Sequence, residues 1–200
     1  EPFHKQTWLE SLISFGAELE TGWYDGFVGI PDSETAVGLI SKYSLPITWE
    51  KLVNTKRDNM KRNASKHVQA FEGVKEGLVG LKGFPIAVAT SSTRDIAETF
   101  LHAAGIMDFF TILITANDVV KTKPDPSCYQ KACAALQLDP SACLAVEDSP
   151  AGIASAKTAG LYAAGISTSF GQEELARADT IFQSTADAFT WLKKILIKKI

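Results

Sequence analysis

Three short stretches of this chain hold residues suited to a phosphoryl group or a hard cation. Thr90-Ser91-Ser92 sets three hydroxyls in a row just ahead of a helical segment, where the free amides of a helix start can share an anion with them. Lys123 stands before Pro124-Asp125-Pro126, a stiff stretch that would hold its ammonium as a point charge. Glu147-Asp148 closes the apolar run Leu144-Ala145-Val146 and leads into Ser149-Pro150. Burying two adjacent carboxylates unpaired costs on the order of several kcal/mol. Mg²⁺ relieves that cost, because it takes oxygen ligands from one or two carboxylates plus phosphate. Each stretch also has a plainer reading: Ser92 as the N-cap of a helix from Thr93, Lys123 as a solvated loop lysine, Asp148 or Ser149 as a cap for the helix after Pro150. Together, hydroxyls, an ammonium and a carboxylate pair are the inventory of phosphoryl transfer, and the set is more specific than any member.

The elements that must position these residues can be read from periodicity. From Phe84 onward short apolar strands alternate with helical stretches: PIAVAT, TILITA, ACLAVE, LYAAGI and TIFQ against TRDIAETFLHAAG, PSCYQKACAALQL, PAGIASAKTAG and a terminal TADAFTWLKKILIKKI. That alternation predicts a doubly wound α/β domain on a parallel sheet, and all three reactive stretches fall at strand ends or just past them, where such sheets bind ligands. In PSCYQKACAALQL, Tyr129, Ala132, Cys133 and Leu136 form a core-facing stripe. Residues 5–82 show helical periodicity only. Trp8, Leu9, Leu12 and Ile13 mark one apolar stripe, Ala36, Val37 and Ile40 a second helix after Pro31-Asp32, and Thr48 caps a third carrying Trp49, Leu52 and Val53. The expected organisation is a linker and first helix over 1–16, a helical module over 17–72 and the α/β domain over 73–200.

The bulk properties narrow the function classes. With 46% hydrophobic residues over 200, the chain can bury a substantial core, and its net charge of −3 gives no reason to expect nucleic acid as a partner. No apolar run is long enough to span a bilayer, and LKKILIKKI reads as a core-facing helix end rather than a membrane-surface helix. Cys128, Cys133 and Cys143 lack metal-ligand spacing and read as reduced core residues of a cytoplasmic protein. No G-x-G-x-x-G follows a strand, so a dinucleotide-binding dehydrogenase is without support. The chain opens on Glu1-Pro2 with no initiator Met, as expected of a processed or partial chain.

At these residues the chain resembles the haloacid dehalogenase-like hydrolases, in particular the β-phosphoglucomutase and phosphoglycolate phosphatase branch. IAVATSST resembles the second motif of that family, KTKPDP the third and LAVEDSPAGIASAKTAG the fourth, and EPFHKQTW resembles the segment that follows the first. The resemblance implies a Rossmann-like core with an all-helical cap and a Mg²⁺-dependent hydrolase of small phosphate monoesters that works through an aspartyl-phosphate. Thr90 would bind the transferring phosphoryl group with Ser91 and Ser92 close by. Lys123 would neutralise charge, Asp148 would hold Mg²⁺, and Glu147 would ligate it or orient its shell. The first motif, an Asp-x-Asp on a central strand, is not in these 200 residues, so they are expected to be inactive alone, with the nucleophile upstream of Glu1.

For the cap, the resemblance brings in His4, Gly29 and Lys56. His4 is either a hinge-helix residue or a contact to the active site, GFVGIPDSE around Gly29 resembles the loop that reaches substrate, and Lys56 either faces the cleft or lies on the solvated face of a basic helix. In the phosphosugar mutases a basic residue of that loop grips a second phosphate. Here Asp32 stands near that position, which favours a phosphatase over a mutase. A monomer acting on a small-molecule phosphate ester is expected. A non-catalytic protein that keeps the fold without the nucleophile strand is the reading from another class.

Overall fold

The computed structural model describes residues 2–27 and 30–197; Gly29 lies outside them. The chain divides into two units, Glu1–Val68 and Gln69–Ile200.

The first unit is helical: α1 (Pro2–Ser14), α2 (Asp32–Tyr43) and α3 (Trp49–His67). Thr48 caps α3 by accepting the amide of Lys51 at 3.3 Å. Trp8 and Leu12 of α1, Ala36 and Leu39 of α2, and Leu52 and Val53 of α3 build its core. Three stripe residues depart from expectation: Ile13, Val37 and Trp49 are 58%, 54% and 41% exposed. Ile13 and Val37 each lie one residue beyond the buried Leu12 or Ala36, so the 100° step per residue carries them off the packed face; Trp49 is the first residue of α3.

The second unit alternates: α4 (Val74–Gly80), β1 (Ala87–Ala89), α5 (Arg94–Ala103), β2 (Ile112–Ile114), α6 (Ser127–Leu136), β3 (Leu144–Glu147), α7 (Pro150–Ala159), β4 (Tyr162–Ile166), β5 (Thr180–Phe182) and α8 (Thr185–Ile197). All strand pairings among the described residues are parallel, as the α/β pattern requires. The strands form two sheets rather than one, β1-β2 and β3-β4-β5. Between the free edges of β1 and β3 runs an apolar groove of about 530 Å³, walled by Ala87–Ala89, Leu144–Val146, Tyr129, Leu78 and Leu192. It explains why β1 is half-buried along its length and why Val146 in mid-strand is 44% exposed. Strands covered on both faces are normally buried.

Helix ends account for much of the local geometry. Thr93, not Ser92, is the N-cap of α5, and the amide of Arg94 is met by Asn117 at 2.8 Å. Ser149 caps α7 by accepting from the Gly152 amide at 3.1 Å, with Pro150 in the first turn. Gly160 ends α7 at φ +92, a conformation that favours glycine.

Two carboxylates tie these elements together. Asp118 accepts from the hydroxyl and amide of Thr115 and from Arg94, at 2.7, 2.8 and 2.9 Å. Asp179 accepts from Lys157 at 2.6 Å and from the Ala163 amide at 2.8 Å. These donors hold both carboxyls below the ordinary aspartate value of 3.8. A depressed folded-state value means that the unfolded chain binds more protons in acid. The stability is therefore fully present above about pH 4 and is lost as pH falls through the folded-state values. Thermal unfolding between pH 5 and pH 2.5 should show Tm falling more steeply for the native sequence than for Asp179→Asn. Equal slopes would remove Asp179 from the acid sensitivity.

Candidate phosphate site at the strand ends

Lys123 is the centre of the site. It sits in the loop between β2 and α6, and its side chain is 11% exposed. Its ammonium donates to the backbone carbonyl of Ala89, the last residue of β1, at 2.8 Å, and to the carboxylate of Glu147, the last residue of β3. One lysine therefore joins the carboxyl ends of the two strands that border the groove. Lys123 also lies 4.9 Å from the ring centre of Tyr129 and 3.5 Å from its hydroxyl.

Glu147 is 8% exposed and enclosed by donors. Its Oε1 accepts from both Lys123 and the Tyr129 hydroxyl, and Oε2 lies 3.4 Å from the Ser149 hydroxyl. A buried ion pair survives when its remaining lone pairs are satisfied, and here Tyr129 and Ser149 do that. Burial, followed by the nearby Glu147 charge, pushes the Tyr129 phenol above its ordinary range, so it remains a hydrogen-bond donor. Space for the carboxylate comes from Gly152 in the first turn of α7. A Cβ there would fall inside van der Waals contact of both carboxylate oxygens and their carbon.

Asp148 differs from its neighbour. It is exposed, and its Oδ2 accepts from the Ser169 hydroxyl at 2.7 Å. An exposed carboxylate at a strand end suits a hard cation. Glu147 Oε1 is committed to Lys123 and Tyr129, whereas Oε2 makes the longer 3.4 Å contact to Ser149. No group of three His, Cys, Asp or Glu gathers among the described residues; at this strand end the carboxylates present are Glu147 and Asp148.

Thr90 follows β1 directly and continues its pairing, its amide donating to Ile114 at 2.9 Å. Its hydroxyl accepts from the Ser92 amide at 3.1 Å, which folds the hydroxyl stretch back at the strand end beside the carbonyl that Lys123 holds. Ser91 is exposed and Ser92 half-buried. Thus Thr90, Lys123 and Glu147 come together, Asp148 adjoins Glu147, and Ser91-Ser92 border Thr90. Tyr129 and Gly152 complete the arrangement without having been singled out by their chemistry. Tyr129 read as one member of a core stripe, and Gly152 as part of a family motif.

The helical unit holds its own polar cluster. Lys56 is fully buried and so does not lie on the solvated basic face of α3, where Lys51, Lys61 and Arg62 are exposed. Its ammonium lies 2.5 Å from Asp32, 3.1 Å from His4 Nδ1 and 4.9 Å from the ring centre of Trp8. His4 and Lys56 are therefore partners on α1 and α3, and the Asp32 carboxylate offsets the lysine charge.

Parallel strands with a hydroxyl, a lysine and paired acids gathered at their carboxyl ends define an α/β protein with a candidate phosphate site. The model of the haloacid dehalogenase-like hydrolase family matches residues 4–166, and the chain belongs to that family. It is 43% identical over 103 residues to validoxylamine A 7'-phosphate phosphatase of Streptomyces hygroscopicus subsp. limoneus, covering 52% of this chain and 48% of that protein. It is 34% identical over 115 residues to β-phosphoglucomutase of Bacillus subtilis (strain 168), covering 58% and 50%. The chain thus spans about half the length of these curated relatives. Its fold follows the crystal structure of a β-phosphoglucomutase homologue from Thermotoga maritima with a TM-score of 0.84, at 24% identity, over 98% of this chain and 93% of that one.

Proposed function

We propose that this protein hydrolyses a small phosphate monoester, such as a sugar phosphate or a phosphoglycolate-like acid. The observation that carries the reading is Lys123, which ties the end of β1 to the end of β3 and so gathers Thr90, Glu147 and Asp148 at one edge of the groove. In this reading the Thr90 hydroxyl and the neighbouring Ser91 and Ser92 bind the phosphoryl oxygens. Lys123 offsets the charge that builds on them in the transition state. Asp148 would hold Mg²⁺, with Glu147 bordering it from the lysine pair. When bound, the cation supplies further neutralisation of phosphoryl charge.

The nucleophile is an aspartate carried by a strand that precedes Glu1 and fills the groove between β1 and β3. Two parallel edges, apolar walls and reactive groups at the carboxyl end of the groove support that placement. The Asp32–Lys56 pair favours a phosphatase over a mutase that grips a second phosphate with a free cation. A cytoplasmic location and a monomeric state complete the proposal. No helix among the described residues is long and apolar enough to cross a membrane.

The test is phosphate release from a panel of phosphomonoesters with and without Mg²⁺, using the full-length protein and residues 1–200 alone. The full-length protein should turn over at least one ester only with Mg²⁺, and the shorter chain none. Equal activity of the two would overturn the borrowed strand. Isomerised sugar phosphate without free phosphate would identify a mutase, and inactivity across the panel would favour a binding protein.

A further inference from the structure

We propose that Tyr129 is a positioning residue of this site, holding the Glu147–Lys123 pair in the geometry that presents the ammonium beside Thr90. The proposal rests on the phosphoryl-transfer reading above. Tyr129 touches both members of the pair: its hydroxyl donates to the Glu147 oxygen that Lys123 also contacts, and its ring lies under the ammonium at 4.9 Å. It is 7% exposed and anchored on α6, with Ala132 and Cys133 of the same face buried beneath it. A phenol turns only about two torsions, so a packed tyrosine fixes its hydroxyl more firmly than a longer polar side chain could. Gly152 closes on the carboxylate as well, leaving Glu147 little freedom once Tyr129 is in place.

Tyr129 also lines the groove between β1 and β3. Whatever strand fills that groove packs against the residue that holds the pair, so filling the groove and ordering the ammonium are mechanically linked through one side chain.

Tyr129→Phe in the full-length protein tests this, because it removes one oxygen and keeps the packing. A lysine displaced from the transition state lowers kcat while leaving ester binding in place. The expectation is about a tenfold loss in kcat with KM within about twofold, and a matching rise in the Ki of orthovanadate, a probe of transition-state charge. On a Lys123→Met background the same substitution should cost nothing further in rate, because Tyr129 acts through the lysine. Unchanged kcat and vanadate affinity would overturn the proposal, and so would an additive loss on the Lys123→Met background. If the phenylalanine variant does not fold, Glu147→Gln must show the same split between kcat and KM, and its absence is an equal refutation. A wild-type protein that neither releases phosphate from esters nor binds inorganic phosphate by calorimetry fails at the parent reading. An active wild type with an indifferent Tyr129 fails only here.

Discussion

Lys123→Met in the full-length protein is expected to lower kcat about 10²–10³-fold, the usual effect of removing one preorganised charge donor from a developing oxyanion. It should also lower stability by about 3–5 kcal/mol, because it leaves the Glu147 carboxylate buried without its cation. The stability loss follows from burial: the lysine and glutamate side chains are 11% and 7% exposed, so water cannot replace the missing partner cheaply. Tyr129 and Ser149 still donate to Glu147, which moderates the cost without supplying charge. The two effects separate in the double variant Lys123→Met with Glu147→Gln. Removing the orphaned charge should return most of the stability and none of the rate. Chemical denaturation and steady-state kinetics on the same samples decide between outcomes. A double variant as unstable as the single one would mean that the pair is not what holds this end of the sheet.

The residues of the candidate phosphate site were legible because strand ends in an α/β sheet are chemically conspicuous. Thr90, Lys123, Glu147 and Asp148 each end or follow an apolar run, and the Lys123 ammonium joins Glu147 to Ala89, the residue before Thr90. The difference between Glu147 and Asp148 was not legible. Adjacent carboxylates look alike in sequence, whereas strand alternation sends one inward to Lys123 and the other out to Ser169. Tyr129 was hidden for a related reason. Its spacing with Ala132 and Cys133 is that of a core stripe, and it does lie on that face, with its hydroxyl aimed at the buried Lys123–Glu147 pair.

Lys56 shows the converse. On a helix rich in Lys and Arg nothing local marks one lysine as buried. The carboxylate and imidazole that hold it come from Asp32 and His4, which lie 24 and 52 residues away in the chain. The division of the strands into two sheets is a matter of pairing, which periodicity does not report. Cys133 and Cys143 were unconnected in sequence because one lies on a helix and the other leads into a strand. Folding brings their thiols into contact, and burial with that contact pushes Cys133 up to about 12.

Gly152→Ala should be nearly as damaging as the loss of Lys123, although it adds one methyl group at a position where the backbone is ordinary helix. Gly152 has no positive φ, so alanine is conformationally welcome there and should gain up to about 1 kcal/mol of helix propensity. Against that gain stands the Glu147 carboxylate, which occupies the place of the new Cβ. A glutamate on a surface would swing aside. This one is fixed by Lys123 and Tyr129, and moving it breaks both contacts together. The net loss is expected to be about 2–4 kcal/mol, within the range for disrupting a buried paired charge. Activity should fall with it, because the lysine loses its anchor. The decisive comparison is Glu147→Ala with and without Gly152→Ala. Once the carboxylate is gone the three atoms nearest the methyl group go with it, so the glycine substitution should become neutral or slightly stabilising. A loss from Gly152→Ala that persists in the Glu147→Ala background would assign the glycine to packing of α7 itself, and the space it leaves would no longer be explained by the carboxylate.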